Sequence, residues 1–86
     1  MYDVNLSDEA RDAAAHVPHD SPKALAELVD LLILDPYVGR LYRGPGSDLR
    51  SIAIADGKLL VVWLVLEAQQ RVELLRLLWL GEQEDG

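Results

Sequence analysis

The chain has 86 residues, enough for one domain with one small core, so any apolar face left without a cover is informative. Cysteine is absent, which excludes a disulfide framework, a thiolate nucleophile and a cysteine-ligated zinc site. The formal net charge of −7 argues against broad phosphate binding, and the longest unbroken apolar run, Leu59 to Leu66, is too short to span a bilayer as a helix, so a soluble cytoplasmic protein with no membrane association is expected.

Tyr2 to Leu6 alternates, with Tyr2, Val4 and Leu6 on one side and Asp3 and Asn5 on the other, as a short strand with one buried face does. Ser7 is a good N-cap, and Asp8 and Glu9 place negative charge in the first helical turn, where the helix dipole favours it. The predicted helix runs through Ala13-Ala14-Ala15 and stops near Val17, ahead of Pro18. Its alanines permit close approach but bury little area. Ser21-Pro22 repeats the start signal, and from Lys23 to about Leu34 the residues Leu25, Leu28, Val29 and Leu32 keep the spacing of one buried helical face, widened by Leu31 and Ile33. Asp35-Pro36 ends this main core helix. Between Tyr37 and Asp48 the pattern dissolves into an irregular connection with Gly39, Gly44, Pro45 and Gly46, whose Arg40, Tyr42 and Arg43 are suited to lie against a ribonucleotide.

The stretch from Leu49 to Leu80 holds three apolar runs joined at Asp56-Gly57 and at Ala68-Gln69-Gln70, which predicts three antiparallel strands in a meander. A type I′ turn at Asp56-Gly57 sets Ala55 opposite Lys58. It pairs Ile54 with Leu59, Ile52 with Val61 and Arg50 with Trp63 on one face, and Ala53 with Leu60 and Ser51 with Val62 on the other. The small residues Ser51, Ala53 and Ala55 are then expected under the helices. A two-residue turn at Ala68-Gln69 sets Val61 opposite Arg76 and Trp63 opposite Leu74, bringing Arg50 and Arg76 together beside Trp63 on the helix-free face. One more residue in that turn would flip the last strand and separate the two arginines. The rest of the arginine face, Ile52, Ile54, Leu59, Val61, Val65, Val72, Leu74 and Leu78, is apolar and predicted to receive a partner, either another copy of the chain as a homodimer or a different protein.

The resulting fold class is α+β, in the order β-α-α-β-β-β, with an antiparallel sheet and two N-terminal helices on one face. Residues 1–80 form the single domain, and residues 81–86 an acidic flexible tail. Charge divides along the chain: residues 1–35 carry a net −6, residues 36–80 a net +2 and the tail −3, so the sheet half is mildly basic.

This order of elements, the opening YDVNLSDEARDAAAHVP, the Leu49-Arg50 pair opening one strand, Val61-Val62-Trp63 in the next and VELLRLLW in the last resemble the RelE/ParE superfamily of bacterial toxins. The resemblance spans nearly the whole chain. It implies the toxin component of a type II toxin–antitoxin pair, neutralised by a cognate antitoxin. In that family some members are metal-independent, ribosome-dependent mRNA endoribonucleases, and others poison gyrase. On the ribonuclease reading Arg50 and Arg76 match family cations and are the candidate catalytic residues, while Arg43, Lys58 and Trp63 are candidate substrate-binding residues. Lys58 falls near the usual arginine of its strand, whose place is taken by Leu60. Trp79 stands where many members have His, and Leu80, Gly81 and Glu82 replace the Arg and Tyr that commonly follow. These departures set beside the nuclease an alternative, a non-catalytic module of the same fold that binds gyrase or regulates.

No metal or other cofactor is implied. His16, His19 and Asp20 are interrupted by Pro18 and followed by no third ligand motif, and Arg43-Gly44-Pro45-Gly46 lacks the spacing of a phosphate loop.

Overall fold

The computed structural model describes residues 1–17, 21–42 and 48–81. Strand β1 (Asp3–Leu6) leads through Ser7 into helix α1 (Asp8–Ala14), where Ser7 Oγ accepts from Ala10 N at 3.0 Å, the expected cap. Helix α2 (Ser21–Leu34) follows, then β2 (Arg40–Leu41), β3 (Leu49–Ile54), β4 (Leu59–Leu66), a short 3-10 turn (Glu67–Gln69) and β5 (Arg71–Trp79).

The meander forms in the predicted register from Arg50/Trp63 to Ile54/Leu59. The sheet is larger than the meander: five strands in the order β1-β5-β4-β3-β2, with β1 parallel to β5 and all other neighbours antiparallel. The short β2 arises in the connection expected to be irregular, where Arg40 pairs with Ser51 and Leu41 with Arg50. Gly39 makes this approach feasible. Its φ is +81°, and a Cβ there would lie 2.4 Å from Ser51 O and 3.1 Å from the Trp63 ring.

The core joins Ala10 of α1 and Leu25, Leu28 and Leu32 of α2 to Leu59, Val61, Trp63, Val72, Leu74 and Leu77 of the sheet. The predicted β3–β4 pairs hold, whereas Arg76, expected opposite Val61, faces Val62; and the helices cover the face that was expected to stay open. Covering Leu59, Val61, Trp63, Val72 and Leu74 gains about 1.5–3 kcal/mol for each large side chain, whereas the other side interleaves Leu60, Val62 and Leu64 with Ser51, Ala53, Glu73 and Arg76 and has less apolar area to bury. Leu31, assigned from its spacing to the buried stripe of α2, stands 43% exposed. It lies past the far edge of the arc centred on Leu25, Leu28 and Leu32.

The hairpin between β3 and β4 turns through Ala55, Asp56 and Gly57, all with positive φ, and its length keeps the parity of a two-residue turn. Between β4 and β5 the loop is likewise even, and Trp63 faces Leu74 as expected. One step further the ladder shifts: Val62 faces Arg76 and Val61 faces Leu77, so Leu75 is the extra residue of a β-bulge. No described helix is long and apolar enough to cross a membrane.

Candidate functional site

Opposite the helices, the sheet presents Leu49, Ser51 and Ala53 from β3, Leu60, Val62 and Leu64 from β4, and Glu73, Leu75, Arg76 and Leu78 from β5. No described helix covers this face, whose leucines are half-buried. At its centre Ser7, Glu9, Tyr42, Leu49, Val62, Leu75 and Arg76 line a cleft of about 450 Å³. Val62 forms its buried floor. The bulge at Leu75 turns Arg76 into this cleft: unbroken alternation from Val72 and Leu74 would drive the guanidinium into the helix-covered core, where an unpaired charge is prohibitively costly.

Arg76 Nε stands 3.9 Å from Glu9 Oε1, and both side chains are substantially exposed. An exposed pair at that separation contributes at most about 1 kcal/mol, which leaves the guanidinium available to an anion. Toward β1 the rim is polar. Arg71 Nε lies 3.6 Å from Glu73 Oε1, and the Asn5 side-chain oxygen, in the amide orientation that satisfies its neighbours, accepts from Arg71 Nη2 at 3.1 Å.

Arg50 does not join Arg76. Facing Trp63, it lies on the helix side of the sheet, where Nη1 donates to Tyr37 O at 2.9 Å and the guanidinium stacks 5.1 Å from the centre of the Tyr37 ring. The expectation that the two arginines share one face is thus corrected by the covered side and by the bulge. Trp63 is fully buried and its Nε1 donates to Pro36 O at 2.9 Å, so its ring packs the core and offers no surface for stacking on a base. Lys58 is exposed at the β3–β4 hairpin, where its carbonyl accepts from Leu80 N. Arg43, like His19, Asp20 and all but the first residue of the tail, lies outside the described residues.

A second polar cluster went unread in the sequence. Tyr2 Oη donates to Glu67 at 3.0 and 2.7 Å, Tyr37 Oη donates to the same carboxylate, and Gln70 Nε2 adds a bond at 3.1 Å. The phenol–carboxylate bond raises Tyr37 to about 12 and also pushes Tyr2 up. The Tyr37 and Tyr2 hydroxyls in turn lower Glu67. This cluster ties the N-terminus, the segment after α2 and the β4–β5 turn together. Its members are far apart in sequence, so only folding brings them within reach. Among the described residues no group of three or more His, Asp or Glu is placed to hold a metal ion.

No family model matches the sequence, and no curated protein is detectably similar to it in sequence. Solved structures with this fold exist. The isolated E. coli RelE toxin aligns with a TM-score of 0.81 over 98% of this chain and 89% of its own, at 14% identity. A chain of the archaeal RelE–RelB complex from Pyrococcus horikoshii aligns with a TM-score of 0.71 over 95% of this chain and 98% of its own, at 21% identity. A chain of the toxin–antitoxin complex RelBE2 from Mycobacterium tuberculosis gives a TM-score of 0.69 over 91% of this chain and 96% of its own, at 23% identity. Likeness at these identities speaks for the backbone arrangement and not for the chemistry. The chain, with two helices on one face of a five-stranded mixed sheet and no described helix on the other, has the RelE-like toxin fold.

Proposed function

We propose that the chain is the toxin-like component of a type II toxin–antitoxin pair, acting in the cytoplasm, and that its cognate antitoxin covers the open sheet face. The observation that supports this most is the combination of the RelE-like fold with an apolar sheet face that neither helix covers, centred on the Arg76 cleft. Leu49, Leu60, Leu64, Leu75 and Leu78 supply the apolar surface for the partner, and the polar rim of Asn5, Arg71 and Glu73 supplies orientation.

On the nuclease form of this reading, the chain cleaves mRNA on the ribosome without a metal. Arg76 contacts the scissile phosphate, and Lys58 and Arg43 are the further candidates for phosphate contact. Tyr42 and Glu9, which line the same cleft, are the groups within reach for proton transfer. Arg50 is then a positioning residue for the segment around Tyr37, not a substrate contact.

A second reading, a non-catalytic gyrase-binding or regulatory module, draws on a specific observation. Arg76 is the one cation among the described residues lining the cleft, and Glu9 stands beside it. Inducible expression in a bacterial host separates the two. Growth arrest by the unaltered chain that is lost in Arg76→Ala, with partner binding kept, favours the nuclease. Arrest that survives the change favours the second reading, and no arrest at all removes the toxin assignment. Sedimentation of the purified chain then tells an antitoxin-type occupant of the open face from a second copy.

A further inference from the structure

The segment from Pro36 to Tyr42 passes around the β3 edge of the sheet, from the helix side to the Arg76 cleft. Its start is fastened on the helix side. Pro36 is fully buried and its carbonyl accepts from Trp63 Nε1, while Tyr37 N donates to Asp35 Oδ1 at 3.1 Å. Tyr37 O accepts from Arg50 Nη1 at 2.9 Å, and Tyr37 Oη donates to Glu67 in the β4–β5 turn. Gly39, at φ +81° and with no room for a Cβ against Ser51 O and the Trp63 ring, bends the chain over the edge. The far end is held more lightly. Arg40 and Leu41 make a strand of two exposed residues opposite Ser51 and Arg50, and Tyr42 N donates to Leu49 O at 2.8 Å. That last pairing sets Tyr42 on the same face as Leu49, where both line the cleft with Arg76. Arg50 joins the two ends, since its guanidinium holds Tyr37 while its backbone pairs with Leu41.

We propose that residues 37–42 are a strap forming one wall of the cleft, and that the Tyr37–Glu67 bond is the latch that holds Tyr42 in place beside Arg76. Neither Tyr37 nor Glu67 lines the cleft, so both are positioning residues that act through the strap. A pairing of two exposed residues contributes little stability of its own, and the place of Tyr42 therefore depends on how firmly the strap is fastened at its start. Latch and cleft are then linked: a ligand that displaces Tyr42 strains the latch, and loss of the latch changes what the cleft accepts. Tyr2 supplies an internal control. Its hydroxyl bonds the same carboxylate at 3.0 and 2.7 Å, but it fastens the N-terminus and not the strap. The inference rests on the geometry of the cleft and holds for a nuclease and for a binding module alike.

The test is amide hydrogen exchange on the isotope-labelled full chain, with the Arg76 Nε resonance as a reporter inside the cleft. Amides of β5, a strand paired on both sides, read global stability. Tyr37→Phe should speed exchange at the Tyr42 amide about fivefold or more beyond any change in β5, and should shift the Arg76 resonance. Glu67→Ala should do the same, and Glu67→Gln, which keeps an acceptor for the phenol, should restore most of the protection. Tyr2→Phe should leave Tyr42 within about twofold of the unaltered chain. A Tyr42 amide that is unprotected in the unaltered chain, that ignores Tyr37→Phe, or that responds equally to Tyr2→Phe would overturn the proposal. So would an Arg76 resonance that stays in place while Tyr42 is released. Growth arrest does not enter these measurements, so the toxin reading stands or falls separately.

Discussion

Arg50 and Arg76 occupy opposite faces of the sheet: Arg50 faces Trp63 on the helix side and is held by Tyr37 O, whereas Arg76 faces Val62 and opens into the cleft beside Glu9. Two cations of one strand meander thus serve different ends, one for the structure and one for the surface. The bulge at Leu75 is what separates them.

Replacing each arginine with alanine should therefore give opposite profiles. Arg50→Ala loses a charge-assisted hydrogen bond and a ring contact, and should lower stability by about 1–2 kcal/mol in denaturant unfolding. Arg76→Ala should change stability by less than about 1 kcal/mol. On the nuclease reading it should also lower mRNA cleavage by about a hundredfold or more, the usual loss when one group that stabilises developing charge is removed. Equal destabilisation by both changes would contradict the placement of the side chains.

The Tyr2–Glu67–Tyr37 cluster predicts a pH signature at both extremes. A phenol raised on folding contributes stability in full below its unfolded value near 10 and loses it as pH climbs to about 12, the folded value of Tyr37. Glu67 is lowered from 4.5, so its contribution is present above that pH and is lost as acid protonates the folded carboxylate. The difference in melting temperature between the unaltered chain and Tyr37→Phe should hold across neutral pH and narrow at both ends. In Glu67→Gln, tyrosinate absorbance should develop at lower pH, closer to 10. An unchanged tyrosine titration in that variant would exclude the bond as its cause.

Two backbone positions should respond in opposite directions. Ala55 has φ 54°, a left-handed conformation that costs a residue with a Cβ about 1–2 kcal/mol, so Ala55→Gly should raise the unfolding free energy, read from denaturant titration, by roughly 0.5–1 kcal/mol after its methyl contact is lost. Gly39→Ala should lower it by about 2 kcal/mol or more, because the new methyl meets backbone at Ser51 O and the Trp63 ring at once.

The two tryptophans make a matched pair. Trp63→Phe leaves the Pro36 carbonyl without its indole donor and should cost about 1–3 kcal/mol. Trp79 Nε1 is buried with no hydrogen-bond partner among the described residues, so Trp79→Phe removes an unmet donor and should be neutral or stabilising by about 1 kcal/mol. Thermal unfolding of the two variants reads the contrast directly. A large loss at Trp79 would mean that its indole nitrogen is satisfied in solution.

Local chemistry sufficed for much of this architecture. The cap at Ser7, the Leu25-Leu28-Leu32 face of α2, the stop at Asp35-Pro36 and the β3–β4 pairing all follow from spacing and turn residues, because each depends on atoms a few positions apart. The bulge, too, left a trace: in VELLRLLW strict alternation from Val72 and Leu74 would bury Arg76, and only a shift at Leu75 lets Leu77 and Trp79 rejoin the core side. Which side the helices cover is another matter. Register states which residues share a face but not which face is filled, and that choice rests on the total burial available across α1, α2 and all the strands at once. The parallel pairing of β1 with β5, the Glu67 cluster and the isolation of Arg76 from Arg50 belong to the same class, since they join segments tens of residues apart that meet only after the chain has closed around its core.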